Sequence, residues 1–416
     1  MRLFTYVALF SMLVPAFIGC SHGKDPTTPA EARKSQAFAN AIPIFDWQTD
    51  NQVTEEKVLE PYFHDVALAQ VCDIGWSVEQ EFSNSHGCIA VTLNRQDNNP
   101  AHPFKPVARW LNSDGGPNIT NCPAFYVTER DDLDDGANAA DYRAPACDAV
   151  HVPLGVAIQN LPADTIEVVV AYMVRNRPDV QDDDDWDIEV TAMQWYNAST
   201  TSYWQREPDE RIYRQFAELP ANDYDEHNPD IAYYHGPYAD EYQIGEEPHY
   251  RYYPGDVFLV YTDQNDASGC QQYIKYRQYH RYDNLVSSEY LGQTLDGHNG
   301  YDPSIDVGFI EIAHNWEPWV AIAYTSQFHA NHTGYHVCAT AWPVADVPLR
   351  NRYTLTSLRN PNHMGRDAGL PCLDIAPDWN INHYAVLSYT QVTGADGFGP
   401  TTDTFVVRFL GEIADL

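Results

Sequence analysis

A strand of the form hydrophobic–x–hydrophobic–x–Tyr occurs four times in this chain, and the repetition narrows the fold more than any other feature. The copies are Val168-Val169-Val170-Ala171-Tyr172, Val257-Phe258-Leu259-Val260-Tyr261, Val320-Ala321-Ile322-Ala323-Tyr324 and Ala385-Val386-Leu387-Ser388-Tyr389. Three of the tyrosines are followed by Thr, at Thr262, Thr325 and Thr390. Each copy sits between an upstream segment with Pro shortly before Asp and a downstream apolar strand ending in aromatics. Strands that recur in a fixed order point to a radially repeated all-β architecture.

Five units can be counted on that basis. They open near Pro61, Pro145, Pro229, Pro303 and Pro371, each followed by an Asp: Asp65, Asp148, Asp230, Asp306 and Asp374. The small and β-branched residues after each Asp suit an innermost strand, where neighbouring units crowd an axis. The Tyr-ended strand comes second, with Trp76 to Phe82 as its looser counterpart in unit one. Third strands are expected over Ile188–Trp195, Gln271–Tyr279, Tyr335–Trp342 and Thr404–Leu410. Weaker fourth strands read as Pro106–Leu111, Tyr213–Leu219, Ser288–Leu295 and Asn351–Leu358. Four antiparallel strands in five units predict a five-bladed β-propeller. Its last blade stops at three strands, and Ile42 to Trp47 could close it. A pair of β-sandwiches is the structural alternative. No helical periodicity of useful length is present.

Charge removes one class of partner. With 24 basic against 59 acidic residues among 416, the formal net charge is −35, the wrong sign for nucleic acid. Lys is scarce, occurring only at Lys24, Lys34, Lys57, Lys105 and Lys275. An acidic, Lys-poor surface suits either a hydrated coat or the binding of a cation or basic ligand.

The N-terminus reads as an export signal: Arg2, an apolar run from Leu3 to Ile18, then Gly19-Cys20 and a polar stretch. Sixteen residues are few for a spanning helix. The small residue before Cys resembles the lipobox of bacterial lipoproteins, although Phe17 stands where that family usually has Leu. The resemblance implies a signal peptide over 1–19, a lipid on Cys20 that holds the chain to a membrane, and, with Ser21 next, the outer membrane or cell surface. Residues 20–43 read as a flexible tether and 44–416 as the propeller. Export implies an oxidising compartment. The close pairs Cys72 with Cys88 and Cys122 with Cys147 are expected disulfides, with Cys270 left over.

Propeller topology would put the starts of the inner strands and the second–third hairpins on one face. That gathers Asp65, Asp148, Asp230, Asp306 and Asp374 around the channel mouth as binding residues, joined by Trp316 and Trp319. The bland reading of such an Asp is turn chemistry, its carboxylate accepting backbone amides. Asp182, Asp183, Asp184 and Asp185 in one hairpin, and His329, His332 and His336 in another, are the metal candidates. Calcium is the cofactor the acidic hairpins would suit, while the bland reading of that run is a solvated loop. Tyr233 and Tyr234 beside His235, with Trp316 and Trp319 around Glu317, are aromatics suited to sugars or protein interfaces if exposed.

Tyr301-Asp302-Pro303-Ser304-Ile305 resembles the Asp-Pro strand start of five-bladed arabinanase- and xylosidase-like glycosidases. That resemblance implies carboxylate acid–base chemistry, for which Asp306, Asp374, Asp302 and Glu311 are the residues in place. The motif lies in the fourth unit here, where the family has it in the first. No G-x-S-x-G elbow, P-loop or dinucleotide fingerprint occurs. The expectation is therefore an exported lipoprotein with a non-catalytic binding propeller for a glycan, a cation or an envelope protein. A glycosidase-like hydrolase is the alternative.

Overall fold

The computed structural model describes residues 63–74, 85–94, 105–111, 125–127, 141–153, 163–175, 185–196, 211–216, 224–236, 239–244, 247–252, 256–265, 271–279, 286–290, 300–312, 315–327, 335–343, 353–354, 368–376, 384–393 and 402–412. Every described residue lies within the unit Leu59–Leu416. The expected signal peptide, Cys20, the tether and the closing strand Ile42–Trp47 lie outside the described residues.

The regular elements among the described residues are all strands, and they fall into the five expected units. Unit one holds β1 (Phe63–Asp73), β2 (Ser85–Asn94), β3 (Lys105–Leu111) and β4 (Phe125–Tyr126). Unit two holds β5 (Asp141–Val152), β6 (Thr165–Arg175), β7 (Asp187–Tyr196) and β8 (Arg211–Phe216). Unit three runs from β9 (Tyr224–Tyr233) through an inserted hairpin, β10 (Ala239–Ile244) and β11 (Glu247–Tyr252), to β12 (Val257–Asn265), β13 (Gln271–Tyr279) and β14 (Val286–Tyr290). Unit four comprises β15 (Gly300–Ile312), β16 (Asn315–Gln327), β17 (Tyr335–Pro343) and β18 (Tyr353–Thr354). Unit five has β19 (Ala368–Ala376), β20 (Tyr384–Thr393) and β21 (Thr402–Glu412).

Within each unit consecutive strands pair antiparallel, the inserted hairpin aside. Units one and two share one sheet, because β1 and β5 meet in parallel at Cys72–Val150 and Asp73–His151. The first strands β1, β5, β9, β15 and β19 lie each against the next. No closed sheet forms among the described residues.

Unit one differs from the expected layout. The partner of β1 is Ser85–Asn94, and Lys105–Leu111 is its third strand rather than its fourth. Trp76–Phe82 lies outside the described residues. The sequence offers no Tyr to mark β2, which is why the pattern misses it.

Core layers lie between successive units. Val168, Val170, Tyr172 and Val174 face Val71, Ile89, Val91 and Leu93 of unit one. The alternate residues Val169, Ala171 and Met173 face Ile231, Tyr233, Leu259 and Tyr261 of unit three. Ala232, Tyr234, Phe258 and Val260 pack on Ile305, Val307, Val320 and Ile322 of unit four. A strand covered on both faces needs apolar residues at every position, which accounts for the unbroken Val-Val-Val-Ala-Tyr run. The inner strands crowd as expected: a Cβ on Gly308 would stand 2.6 Å from Ile375 Cγ2 of the next unit.

Register explains why Pro and Tyr repeat together. In unit two Arg143 faces Met173 and Ala146 faces Ala171, so Ala144-Pro145 bulges opposite Tyr172. In the same way Asn228-Pro229 lies opposite Tyr261, Asp302-Pro303 opposite Tyr324 and Leu370-Pro371 opposite Tyr389. The residue before each Pro is left-handed, with φ of 44° at Ala144, 48° at Asn228, 46° at Asp302 and 52° at Leu370. Pro suits the next position because it brings no amide that a broken ladder would leave unpaired. Unit one has the same bulge at Asp65, φ 47°, but with Val66 in place of Pro and Thr92 in place of Tyr. The two halves of the motif are lost together.

Candidate functional site

The bulges set the phase of each inner strand. Counting from the Pro, residues one and three places on face the following unit, and residues two and four places on face the preceding one. Asp148, Asp306 and Asp374 stand three places after Pro, while Asp230 stands one place after it. Asp65 belongs elsewhere, because it occupies the left-handed bulge itself. The grouping of all five openings is corrected on this point, since only the structure shows that Val66 replaces Pro.

Three of these carboxylates do the same job. Asp148 Oδ1 accepts the amide of Ala149 at 2.7 Å, and Oδ2 accepts that of Tyr233 in unit three at 2.7 Å. Asp230 accepts from Ile231 at 3.0 Å and from Ile305 of unit four at 2.9 Å. Asp306 accepts from Val307 at 2.8 Å and from Ile375 of unit five at 2.5 Å. Ser304, one place after Pro303, adds a weaker copy by accepting the amide of Leu373 at 3.1 Å. An inner strand has one edge with no sheet partner, and its amides need acceptors. Here the preceding unit supplies them. Unit one has Ala67 and Ala69 at the corresponding places, and there the backbones of β1 and β5 pair directly instead. The bland reading of these aspartates holds for Asp148, Asp230 and Asp306.

Crowding these carboxylates together favours their neutral forms. Burial pushes the Asp230 carboxyl up to about 6, with Asp148 adding to the rise and the amides of Ile305 and Ile231 opposing it. Asp306 is raised well above the usual carboxylate range, first by burial and then by the charge of neighbouring Asp374, with the amide of Ile375 opposing the rise. Asp374 itself is exposed. Asp302 is raised by burial, and its carboxylate accepts Asn228 Nδ2 at 2.6 Å, tying the bulges of units three and four together.

Two neighbours of this row were missed from sequence. His235 Nε2 lies 3.6 Å from Asp148 Oδ2, and Cys372, one place after Pro371, is exposed beside Asp230 and Asp374. His235 followed an aromatic pair and so read as part of a surface loop. Cys372 entered neither of the expected pairs.

The other sequence candidates disperse. Trp319 is 5% exposed and belongs to the interior, as do Tyr233 and Tyr234, so none of these offers a face to a ligand. They fail as binding aromatics because the sheets stack on both sides of their strands. Trp316 and Glu311 lie on β16 and β15, and His336 on β17, with side chains outside the described residues. Asp182, Asp183, Asp184, His329 and His332 are also outside them. Asp185 is partly buried next to Trp186. In unit three, Asp263 is buried on β12 and paired with Lys275 at 2.5 Å. Among the described residues no three His, Cys, Asp or Glu side chains converge on a point where a metal ion could sit.

The expected disulfides are corrected too. Cys88 and Cys147 are both unbonded thiols. Strand register puts Cys88 across from Gln70 and Cys72 across from Ser85, so closeness in sequence does not become pairing. Cys147 faces the core between units one and two, where burial and Asp148 raise its thiol. Cys122 lies outside the described residues.

No family model matches the chain, and no curated protein does either. Among solved structures it is similar to a point mutant of the alpha-L-arabinofuranosidase arb93a from Fusarium graminearum in complex with an iminosugar inhibitor. That match has 13% identity over 80% of this chain and 77% of that one, with a TM-score of 0.38. An exo-1,5-alpha-L-arabinanase from a bovine ruminal metagenomic library matches at 9% identity, over 84% and 94% of the two chains, with a TM-score of 0.34. A BT0996 RGII complex matches at 12% identity, over 65% and 71%, with a TM-score of 0.33. The likeness is of shape at low score, and it assigns no activity to this chain.

Proposed function

We propose that this chain is an exported lipoprotein, anchored through Cys20, whose five units form a five-bladed β-propeller that binds a partner without catalysis, a glycan being the first candidate. One observation supports a binding role above the others. Three aspartates of the inner strands, Asp148, Asp230 and the acid–base candidate Asp306, are each engaged by two backbone amides. A carboxylate that holds two strands in place cannot swing to a substrate without loosening the fold. The test is a glycan array probed with the full chain carrying Cys20→Ser, run beside arabinan and aryl-arabinoside hydrolysis assays. Retention of a glycan without turnover is the expected result. Turnover abolished by Asp306→Asn would overturn it.

A hydrolase remains the second reading because Asp306 and Asp374 form a carboxyl pair in which Asp306 is raised. Their closeness counts against it. Glycosidase carboxyls stand at least about 5 Å apart so that the sugar, or the sugar and a water, fits between them.

A further inference from the structure

The repeating interface leaves two faces exposed among the described residues, one at each end of the array. In units two to five the residues two and four places after Pro are buried against the preceding unit: Ile231 and Tyr233 in unit three, Leu373 and Ile375 in unit five. In unit one the same places hold Leu68 and Gln70, and both are exposed, Leu68 at 65%. At the other end, Cys372 and Asp374 occupy the forward places of unit five, and both are exposed. Among the described residues the large exposed apolar side chains are Val66, Leu68 and Leu370, all on β1 or β19.

Resting on the propeller reading above, we infer that these two faces form the seam of the ring, with Asp374 accepting the backbone amide of Gln70. The rule comes from the interfaces already described. A carboxylate three places after Pro takes the amide four places after the corresponding position of the next unit, as Asp148 does with Tyr233 and Asp306 with Ile375. Applied to unit five, that rule names Asp374 and Gln70. The side chain one place after Pro takes the amide two places on, as Asp230 does with Ile305 and Ser304 with Leu373. This brings Cys372 against Leu68. Seating Leu68 as its counterparts are seated removes apolar surface from water, which is favourable. The occupant of each end face is therefore the other end of the same chain. A second copy of the chain is the competing occupant.

The test is a cross-link. Leu68→Cys in the full chain carrying Cys20→Ser is treated with oxidised glutathione, each new protein disulfide releasing two reduced glutathiones. Peptide mapping then locates the bond. An intramolecular disulfide between the introduced thiol and Cys372 is the expected product, together with alkylation of Cys372 in the unmutated chain at least tenfold slower than in urea. A bond between two chains overturns the inference in favour of a second copy. Slow alkylation without the intramolecular bond overturns the register of the seam while leaving a closed ring. Rapid alkylation without a bond overturns closure itself. None of these readouts depends on glycan binding, so a negative array result and a failed seam are told apart.

Discussion

Asp230 on β9 reaches across to the amide of Ile305 on β15, 75 residues later in the chain, at 2.9 Å. The same carboxylate also holds the amide of Ile231 in its own strand. One side chain therefore fixes the start of one inner strand and the position of the next.

Asp230→Ala should unfold at lower denaturant than the parent, with a loss of roughly 1–3 kcal/mol for two charge-assisted bonds left unmade. Asp148→Ala should behave alike, since it joins units two and three by the same geometry. Equilibrium urea unfolding checks both. An unchanged midpoint for the two variants would mean the bonds contribute nothing to holding the units together.

The raised Asp230 carboxyl gives a pH signature. Its folded value of about 6 lies above the ordinary 3.8, so protonation stabilises the fold. That contribution is complete below about pH 4 and is lost as pH rises through about 6, an effect of roughly 3 kcal/mol. Asp306 and Asp302 shift in the same direction and add to it. Stability measured across about pH 4.5 to 7 should therefore decline, and the decline should be shallower in Asp230→Asn. A steeper decline in that variant would contradict the assignment.

The left-handed bulges are improvable where no side chain uses them. Ala144 sits at φ 44° with a Cβ that a left-handed backbone disfavours. Ala144→Gly should raise the thermal midpoint, with a gain of up to about 1 kcal/mol after the entropy of the added glycine is counted. Asn228→Gly should not gain as much, because it discards the 2.6 Å bond to Asp302. Calorimetry on the two variants separates these outcomes.

Lys275 and Asp263 form a buried pair, 7% and 2% exposed in their side chains. Lys275→Met alone strands a buried carboxylate and should cost roughly 3–5 kcal/mol. The double variant Lys275→Met with Asp263→Leu should recover most of that loss. A double-mutant cycle by denaturant unfolding reads the coupling. Equal losses for the single and double variants would show the charges are not compensating one another.

Much of the architecture was legible in the residues because the repeat has two physical halves. Pro145 and Tyr172, or Pro303 and Tyr324, mark opposite sides of one bulge, and each half is visible in the sequence without the other. The use of the aspartates was less legible. Asp230 follows its Pro by one residue and Asp148 by three, a difference that looks like loose spacing. In space the two lie at different heights along the same forward face and bind different amides. Trp319 shows another limit: an aromatic near a Glu looks like surface until a second sheet is known to cover it. Unit one hid its second strand because neither Pro nor Tyr is present there to reveal it.

The distribution of lysine has a practical corollary. Of the five in the chain, Lys105 and Lys275 alone fall within Leu59–Leu416, and both are buried, at 4% and 6%. The remaining Lys24, Lys34 and Lys57 all precede that part. Reagents that acylate primary amines should therefore modify the N-terminal segment and spare the folded body, as mass spectrometry of the native and urea-treated chain can verify. Coupled to a sensor chip through those amines, every molecule would be held by the same end it is proposed to use on a membrane.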